Sequence, residues 1–209
     1  MGAKEVIAIL ASYALGCFST GYYLVRFRTG EDIRSRGSGS TGATNVGREL
    51  GVMGFLTTFL IDLAKGALAV WAAFYFGLGP LGVVGTMLAV VTGHIWPVPL
   101  RFKGGKGVAT ALGTVVVFDY QILIVAVIIS CLTSALVRQF TLSGLIGVAI
   151  SPGVAFLIGR PWTSVLGITV LTLLILVAHR DHIRAIFHSA ARPGRGGKTV
   201  PLDPKGILR

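Results

Sequence analysis

Residues 51–77 read GVMGFLTTFLIDLAKGALAVWAAFYFG, an apolar run interrupted by only two charged side chains, Asp62 and Lys65. A helix needs about 20 apolar residues to cross the hydrocarbon of a bilayer, so this run is long enough to do so. Further apolar runs occupy residues 6–25, 81–100, 107–118, 121–137, 142–159 and 162–178. The sequence therefore predicts an all-α integral membrane protein with seven transmembrane helices.

The composition agrees with a membrane protein. Of 209 residues, 53% are hydrophobic and only 13% are charged, whereas soluble domains carry about 25% charged residues. We expect a single helical domain over residues 1–187. Residues 188–209 are rich in proline, glycine and charge, and are predicted to be a disordered cytoplasmic tail.

The basic residues predict the orientation of the chain. Seven crossings divide the connections between two sides, and one side receives Arg26, Arg28, Arg34, Arg36, Arg48, Arg101, Lys103, Lys106, Arg138, Arg180 and Arg184. The other side receives little beyond Lys4 and Arg160. The positive-inside rule then places the N-terminus outside and the C-terminus in the cytoplasm. The net charge of +11 is explained by this topology, so nucleic acid is not an expected partner.

The first polar connection, RSRGSGSTGATN at residues 34–45, predicts an anion-binding loop. Glycines let backbone N–H groups converge on one point, and hydroxyl and guanidinium groups add donors for phosphate oxygens. The loop lacks the Gly-Lys-Ser/Thr ending of a Walker A motif. We expect Asn45 to cap the following helix. The alternative is a flexible linker. The candidate binding residues are Arg36, Gly37, Gly39, Ser40, Thr41, Gly42, Asn45 and Arg48, and Ser38 is a catalytic candidate.

The second polar connection, RFKGGKG at residues 101–107, directly precedes an apolar segment. This arrangement places backbone donors, a helix N-terminus and two ammonium groups together, which favours a second phosphate site. The alternative is ordinary positive charge beside a membrane. His94, shortly before the loop, is expected to be structural. The candidate binding residues are Lys103, Gly104, Gly105 and Lys106.

A third polar cluster, HRDHIR at residues 179–184, follows the last apolar run. A histidine could orient or deprotonate a hydroxyl group, which makes His179 a catalytic candidate. The alternative is a basic stop at the membrane surface. No paired cysteines or clustered carboxylates accompany the histidines, so no metal site is expected. Asp62 and Lys65 are either a local ion pair or a functional pair within the membrane.

These three clusters resemble the motifs of the bacterial acyl-phosphate:glycerol-3-phosphate acyltransferases, the PlsY family. The family's first loop reads like Gly-Ser-Gly-Asn-x-Gly-Ala-Thr-Asn, and residues 37–45 here read GSGSTGATN. The second reads like Gly-His-x-Phe-Pro-Val-Phe-x-x-Phe-Lys-Gly-Gly-Lys-Gly-Val-Ala-Thr, and residues 93–110 here read GHIWPVPLRFKGGKGVAT. The third resembles His-Arg-x-Asn-Ile-x-Arg. The matches keep their order along nearly the whole chain.

The resemblance implies transfer of a fatty acyl group from acyl phosphate to the sn-1 hydroxyl of glycerol 3-phosphate in the bacterial inner membrane. It implies a cytoplasmic active site, no cofactor and no metal ion. Ser38 and the first loop would contact the acyl phosphate, while Lys106, Arg48 and His182 would bind glycerol 3-phosphate. The base is either His179 or the departing phosphate. Oligomeric state is left open.

Three positions depart from the family pattern. Ser40 and His182 each replace an asparagine, and TLSG at residues 141–144 stands where the family resembles Ser-Leu-x-Ser. All three affect expected substrate contacts, including that of Thr141. The alternative to an enzyme is a membrane transporter for an organic phosphate or anion. However, the candidate phosphate-binding groups lie on one side of the membrane and the sequence shows no internal repeat. A CDP-alcohol phosphotransferase would need several metal-binding aspartates that this chain lacks.

Overall fold

The computed structural model describes residues 2–190, which form nine α-helices and no strand. Their bounds are α1 Ala3–Cys17, α2 Thr20–Thr29, α3 Ala43–Tyr75, α4 Pro80–Ile95, α5 Val108–Phe118, α6 Tyr120–Val137, α7 Phe140–Leu157, α8 Trp162–Ala178 and α9 Arg180–Ala190. The chain up to Ala178 is one compact unit, and His179 opens a second. The prediction of an all-α chain is confirmed for the described residues.

Five segments are long and apolar enough to cross a membrane. They are Ala3–Thr29, Ala43–Tyr75, Pro80–Leu100, Tyr120–Val137 and Phe140–Leu157. Val108–Phe118 and Trp162–Ala178 are apolar but shorter. The seven predicted runs thus correspond to these seven segments, while the number of crossings stays a prediction. Of the predicted tail, residues 188–190 continue α9 and the remainder lies outside the described residues.

The first predicted run, 6–25, is two helices rather than one. Phe18 and Ser19 have extended backbone angles between α1 and α2. No proline marks this break, and only the small polar residues Ser19 and Thr20 occur there. Its consequence is that carbonyl groups at the end of α1 lose their partners within the helix and need others.

The second predicted run begins where a longer helix kinks. α3 starts at Ala43, but Gly51 within it has φ 72° and ψ −166°, a conformation that only glycine adopts readily. Residues 43–50 therefore form a polar first segment that continues the first loop, and the apolar run forms the remainder. The structure extends this helix eight positions before the predicted start at residue 51.

Glycines set the closest helix contacts. α3 packs along α5, and a methyl group at Gly113 would overlap the carbonyl oxygen of Leu63, while one at Gly66 would overlap that of Thr110. α1 and α4 meet in the same way at Gly16 and Gly93. Such close backbone approach is typical of helices packed in a membrane, where small residues line the contact.

The outside of the helical unit is apolar. Only 6% of the α6 span is buried, and its mean hydropathy of 2.3 is the highest of the five spans. Exposed large apolar side chains include Ile124, Ile128, Leu132, Leu136, Leu60 and Leu68. Because lipid tails are as apolar as these side chains, the surface is suited to contact with hydrocarbon rather than water.

The close contact of α3 and α5 predicts that Gly113→Ala lowers stability. The added methyl group would force the two backbones apart, at a cost on the order of 1–3 kcal/mol. Thermal unfolding of the protein in detergent measures the effect. Gly153→Ala is the matched control, because a methyl group there meets nothing within 4 Å. Equal midpoints for the two variants would contradict the packing described.

Candidate active site

The first loop has a defined conformation rather than that of a flexible linker. Gly30 ends α2 in the left-handed region, and Asp32 accepts a hydrogen bond from the Arg34 backbone N–H at 2.9 Å to start a 3₁₀ turn over Ile33–Ser35. Gly37 and Gly39 have φ of 52° and 70°. Gly42 then precedes α3 as its N-cap. The glycines therefore occur where the backbone turns.

Asn45 organises this loop. Its side-chain amide donates to the carbonyl oxygens of Arg36 at 3.0 Å, Ser40 at 2.9 Å and Ile33 at 3.4 Å, and its Oδ1 accepts from the Ser38 N–H at 3.0 Å. The residue is only 2% exposed. The prediction that Asn45 caps α3 is wrong, since Gly42 occupies the N-cap. The amide fixes the loop above α3 instead.

The arginines of this loop are largely engaged within the protein. Arg34 forms a bidentate pair with Asp32 and lies over the Tyr22 ring, 5.1 Å from its centroid. The hydrogen-bonded guanidinium holds the pKa of the Asp32 carboxyl below its usual range and Asp32 raises the pKa of Arg34. Arg36 pairs with Glu31, whose hydrogen bond raises the pKa of that arginine. Arg48 is exposed on the polar segment of α3.

The second loop folds back over the end of α4. The N–H groups of Gly104 and Gly105 donate to the carbonyl oxygens of Ile95 at 3.2 Å and His94 at 3.1 Å. Methyl groups at these glycines would overlap the His94 oxygen and ring, respectively. These two N–H groups therefore cap α4 and allow the loop to lie against it, and the expected substrate contacts of Gly104 and Gly105 stay predictions.

The end of the second loop starts α5. Gly107 is its N-cap with φ 81°, Lys106 directly precedes it, and Lys103 is exposed. Arg101 and Phe102, with φ of 54° and 60°, adopt the left-handed region that residues with a side chain seldom adopt. Two backbone hydrogen bonds hold this turn. The Phe102 N–H donates to the Pro97 carbonyl at 3.0 Å, and the Lys103 N–H donates to the Leu100 carbonyl at 3.2 Å.

The two loops contact each other directly. Arg34 Nη1 donates to the Leu100 carbonyl at 2.7 Å, and the Thr41 N–H donates to the Gly104 carbonyl at 3.4 Å. α3 and α5 also pack side by side, with Gly66 of α3 against Thr110 near the start of α5. The contacting loops carry lysine, arginine and hydroxyl groups close to the start of α5, and such groups beside a helix N-terminus are suited to binding anions.

A buried polar cluster that the sequence only partly indicated lies beneath the loops. Lys65 Nζ is 2.9 Å from Asp62 Oδ1 and 2.9 Å from His94 Nδ1, and it donates to the carbonyls of Phe18 at 2.7 Å and Gly16 at 3.2 Å. Thr20 donates to Asp62 at 3.0 Å. The i,i+3 spacing of Asp62 and Lys65 predicted their pairing, but nothing in the sequence placed His94 with them.

A sequence model of the family described as glycerol-3-phosphate acyltransferase matches residues 6–189. This chain belongs to the glycerol-3-phosphate acyltransferase family. Among the described residues, no group of three His, Cys, Asp or Glu side chains could hold a metal ion.

Several relatives cover nearly the full length of the chain. Glycerol-3-phosphate acyltransferase 1 of Desulfitobacterium hafniense is 43% identical and covers 93% of this chain and 96% of its own. The glycerol-3-phosphate acyltransferase of Methylobacillus flagellatus is 39% identical, covering 94% of this chain and 100% of its own. The crystal structure of PlsY (YgiH), an integral membrane glycerol 3-phosphate acyltransferase in its glycerol 3-phosphate form, matches with a TM-score of 0.82 at 30% identity, over 93% of this chain and 96% of that one.

The remaining family motif residues lie outside the two loops. Thr141 is in the first turn of α7. His179 and His182 belong to the second unit, whose helix α9 has Asp181 in its first turn and a bond from the Ile183 N–H to the His179 carbonyl at 3.0 Å. The substrate contacts assigned to Thr141, His179 and His182 stay predictions.

The central position of Asn45 predicts that Asn45→Asp loosens the first loop of this family member. The change replaces the buried donor with an oxygen facing carbonyl oxygens, which costs on the order of 1–3 kcal/mol. Hydrogen exchange over residues 33–41 should become faster. Thr44→Ala is the control, because Thr44 is an exposed neighbour on the same turn. Unchanged exchange in Asn45→Asp would show that the loop does not depend on this amide.

Proposed function

We propose that this protein transfers a fatty acyl group from acyl phosphate to the sn-1 hydroxyl of glycerol 3-phosphate, giving lysophosphatidic acid and phosphate. The observation that carries the proposal is the direct contact of the two glycine-rich loops that precede α3 and α5. Membership of the glycerol-3-phosphate acyltransferase family supports glycerol 3-phosphate as the acceptor of the acyl group. The match to PlsY structures in glycerol 3-phosphate and lysophosphatidic acid forms supports both acceptor and product.

Each loop would receive one phosphate group. Lys106 and the first N–H groups of α5 would offer charge and donors to glycerol 3-phosphate, and the exposed Arg48 of α3 would add a second positive charge. Ser38, exposed at the tip of the first loop, would contact the acyl phosphate. Because Asn45 holds the loop backbone and Asp32 holds Arg34, the first loop keeps its shape without substrate, which lowers the entropy lost on binding.

The chemistry needs orientation more than activation. The acceptor hydroxyl oxygen attacks the acyl carbonyl carbon, and the bond from that carbon to the phosphate oxygen breaks. The hydroxyl proton passes to the departing phosphate or to His179. Acyl phosphate is already an activated mixed anhydride, so holding the two molecules in line supplies much of the rate enhancement. Donors at the loops would also stabilise the negative charge that develops on the carbonyl oxygen.

An apolar cleft beside the second loop supports a donor with a fatty chain. The cleft extends between α5, α6, α7 and α8, starting at Val108, the first residue of α5. Its lining is almost entirely apolar and includes Ala111, Leu112, Leu123, Val148, Ile168 and Ile175. The cavity volume of about 50 Å³ has room for only a few methylene groups, so the part of a fatty chain nearest the loops could pack against this cleft away from water.

We further propose seven crossings of the cytoplasmic membrane, with the N-terminus outside and both loops in the cytoplasm. The broken pair α1 and α2 would cross once, and the short helices α5 and α8 once each. Contacts at the end away from the loops support this arrangement. Lys4 bonds to the Gly77 carbonyl at 3.1 Å, and Arg160 bonds to Asp119 Oδ2 at 2.5 Å.

Cysteine labelling tests the orientation. The test uses Ser35→Cys and Gly79→Cys, since both residues are exposed. Ser35 is proposed to lie in the cytoplasm and Gly79 on the outside. Both substitutions are introduced into a Cys131→Ser background, because Cys131 is exposed whereas Cys17 is buried. An impermeant maleimide added to intact cells should label only Gly79→Cys, and permeabilised cells should label both. Labelling of both positions in intact cells would contradict the topology.

A direct assay tests the reaction. Purified protein with palmitoyl phosphate and labelled glycerol 3-phosphate should form labelled lysophosphatidic acid, and should do so in the presence of a metal chelator. Palmitoyl-CoA should not replace palmitoyl phosphate. Robust turnover with the CoA ester would exclude the proposed donor, and no product with either donor would exclude the reaction.

The two loops predict separate effects on the two substrates. Lys106→Ala removes a charge-assisted contact, and should raise the KM for glycerol 3-phosphate roughly ten- to a hundred-fold. Ser38→Ala should act mainly on the KM for acyl phosphate. Arg28→Ala, which removes an exposed charge on α2, is the control and should change neither. If both loop variants raised the same constant alone, the assignment of one substrate to each loop would be wrong.

A further inference from the structure

The buried cluster of Asp62, Lys65 and His94 has no step in the proposed reaction. These side chains are 1%, 5% and 3% exposed. Burying an ammonium and a carboxylate costs free energy even when they are paired, and removing one partner is more costly still. A purely apolar contact between α3 and α4 would avoid this cost, so the presence of the cluster indicates a specific role.

The cluster holds the second loop through His94. An ammonium group only donates, so His94 Nδ1 accepts from Lys65 and the ring proton is on Nε2. The Nε2 edge of the ring lies directly under Gly105, where a methyl group would overlap it. The carbonyl of the same residue accepts from the Gly105 N–H at 3.1 Å. Both the ring and the backbone of His94 therefore support the loop that ends at Lys106.

The cluster also holds the break between α1 and α2, to which the first loop is attached. Lys65 donates to the carbonyl of Gly16 at the end of α1 and to that of Phe18 within the break, and Thr20 at the start of α2 donates to Asp62. Ser19, within the break, donates from its hydroxyl to Thr41 Oγ1 at 2.8 Å. The same break is thus joined to the first loop by Ser19 and to the second loop by Lys65 and His94.

We propose that Asp62, Lys65 and His94 are positioning residues that fix the second loop relative to the first, and so set the distance between the two bound phosphates. The inference rests on the proposed function for its kinetic consequence, but its structural content concerns the loops alone. Because its three side chains are buried, the cluster would not contact either substrate. It acts through the Gly104–Gly105 backbone on Lys106, and a shift of about 1 Å in such a group can lower the rate a hundred-fold.

Replacement of His94 tests the proposal, because a neutral side chain can be exchanged without leaving an unpaired buried charge. His94→Leu removes the acceptor for Lys65, whereas His94→Asn retains an oxygen near the position of Nδ1. Thr86→Val is the matched control, since Thr86 is a buried polar residue of α4 whose hydroxyl, among the described residues, bonds to the Gly82 carbonyl within its own helix.

The first measurement is hydrogen exchange, which needs no activity. The amides of residues 101–107 should exchange at least about ten-fold faster in His94→Leu. They should return toward the wild-type rate in His94→Asn and stay unchanged in Thr86→Val. Unchanged exchange in His94→Leu, or equal acceleration in all three variants, would overturn the proposal whether or not the protein acylates glycerol 3-phosphate.

The second measurement separates positioning from general loss of stability. His94→Leu should raise the KM for glycerol 3-phosphate about ten-fold or more and leave the KM for acyl phosphate within about two-fold, with recovery in His94→Asn. An equal rise in both constants, or loss of active protein with unchanged constants, would overturn the positioning role. An inactive wild type would refute the proposed function instead, and the exchange rates would still decide this inference.

Discussion

Hydrocarbon offers a peptide group no hydrogen-bond partner, and this constraint governs the whole molecule. Regular helices satisfy it over most of the chain. Where the chain departs from a helix, polar groups of the protein itself must complete the bonding. The break between α1 and α2 is possible because the Lys65 ammonium bonds to the carbonyls of Gly16 and Phe18. The buried ion pair is therefore tied to an irregular piece of backbone.

The same constraint explains why backbone groups of the two loops bond within the protein, while several of their polar side chains stay exposed. Much of their backbone bonding is internal. The Asn45 side chain donates to carbonyl groups of the first loop, and the N–H groups of Gly104 and Gly105 donate to carbonyl groups at the end of α4. Internal bonding makes the loops stiff, and it leaves side chains such as Ser38, Arg48 and Lys103 exposed for other contacts. Glycine in these motifs thus serves mainly the folding of the loops, and charge and hydroxyl groups serve recognition.

Hydropathy and length predicted the helical class, and α4 to α8 begin and end within a few residues of the predicted runs. Local patterns did not reveal the break at Phe18, because no proline interrupts the run and the small polar residues Ser19 and Thr20 also occur within helices. The role of Asn45 was missed for a related reason. Its position matched a helix cap, but its partners are the carbonyls of a loop whose path depends on Gly37 and Gly39. His94 joins Lys65 across 29 positions of sequence, a contact set by helix packing that local spacing does not encode.

The interlocked backbones of α3 and α5 restrict how the length of this chain can vary. Gly113 sits against Leu63 with no room for a methyl group, and Lys106 stands seven positions earlier at the start of the same helix. Inserting or deleting one residue between them would rotate one end of α5 by about 100° relative to the other. Either the glycine would leave the contact or the lysine would leave the loops. The turn at Gly77 and Gly79, where added atoms meet nothing within 4 Å, can absorb such changes. Insertions and deletions are therefore compatible with this fold at the end away from the loops, and incompatible with it between the second loop and Gly113.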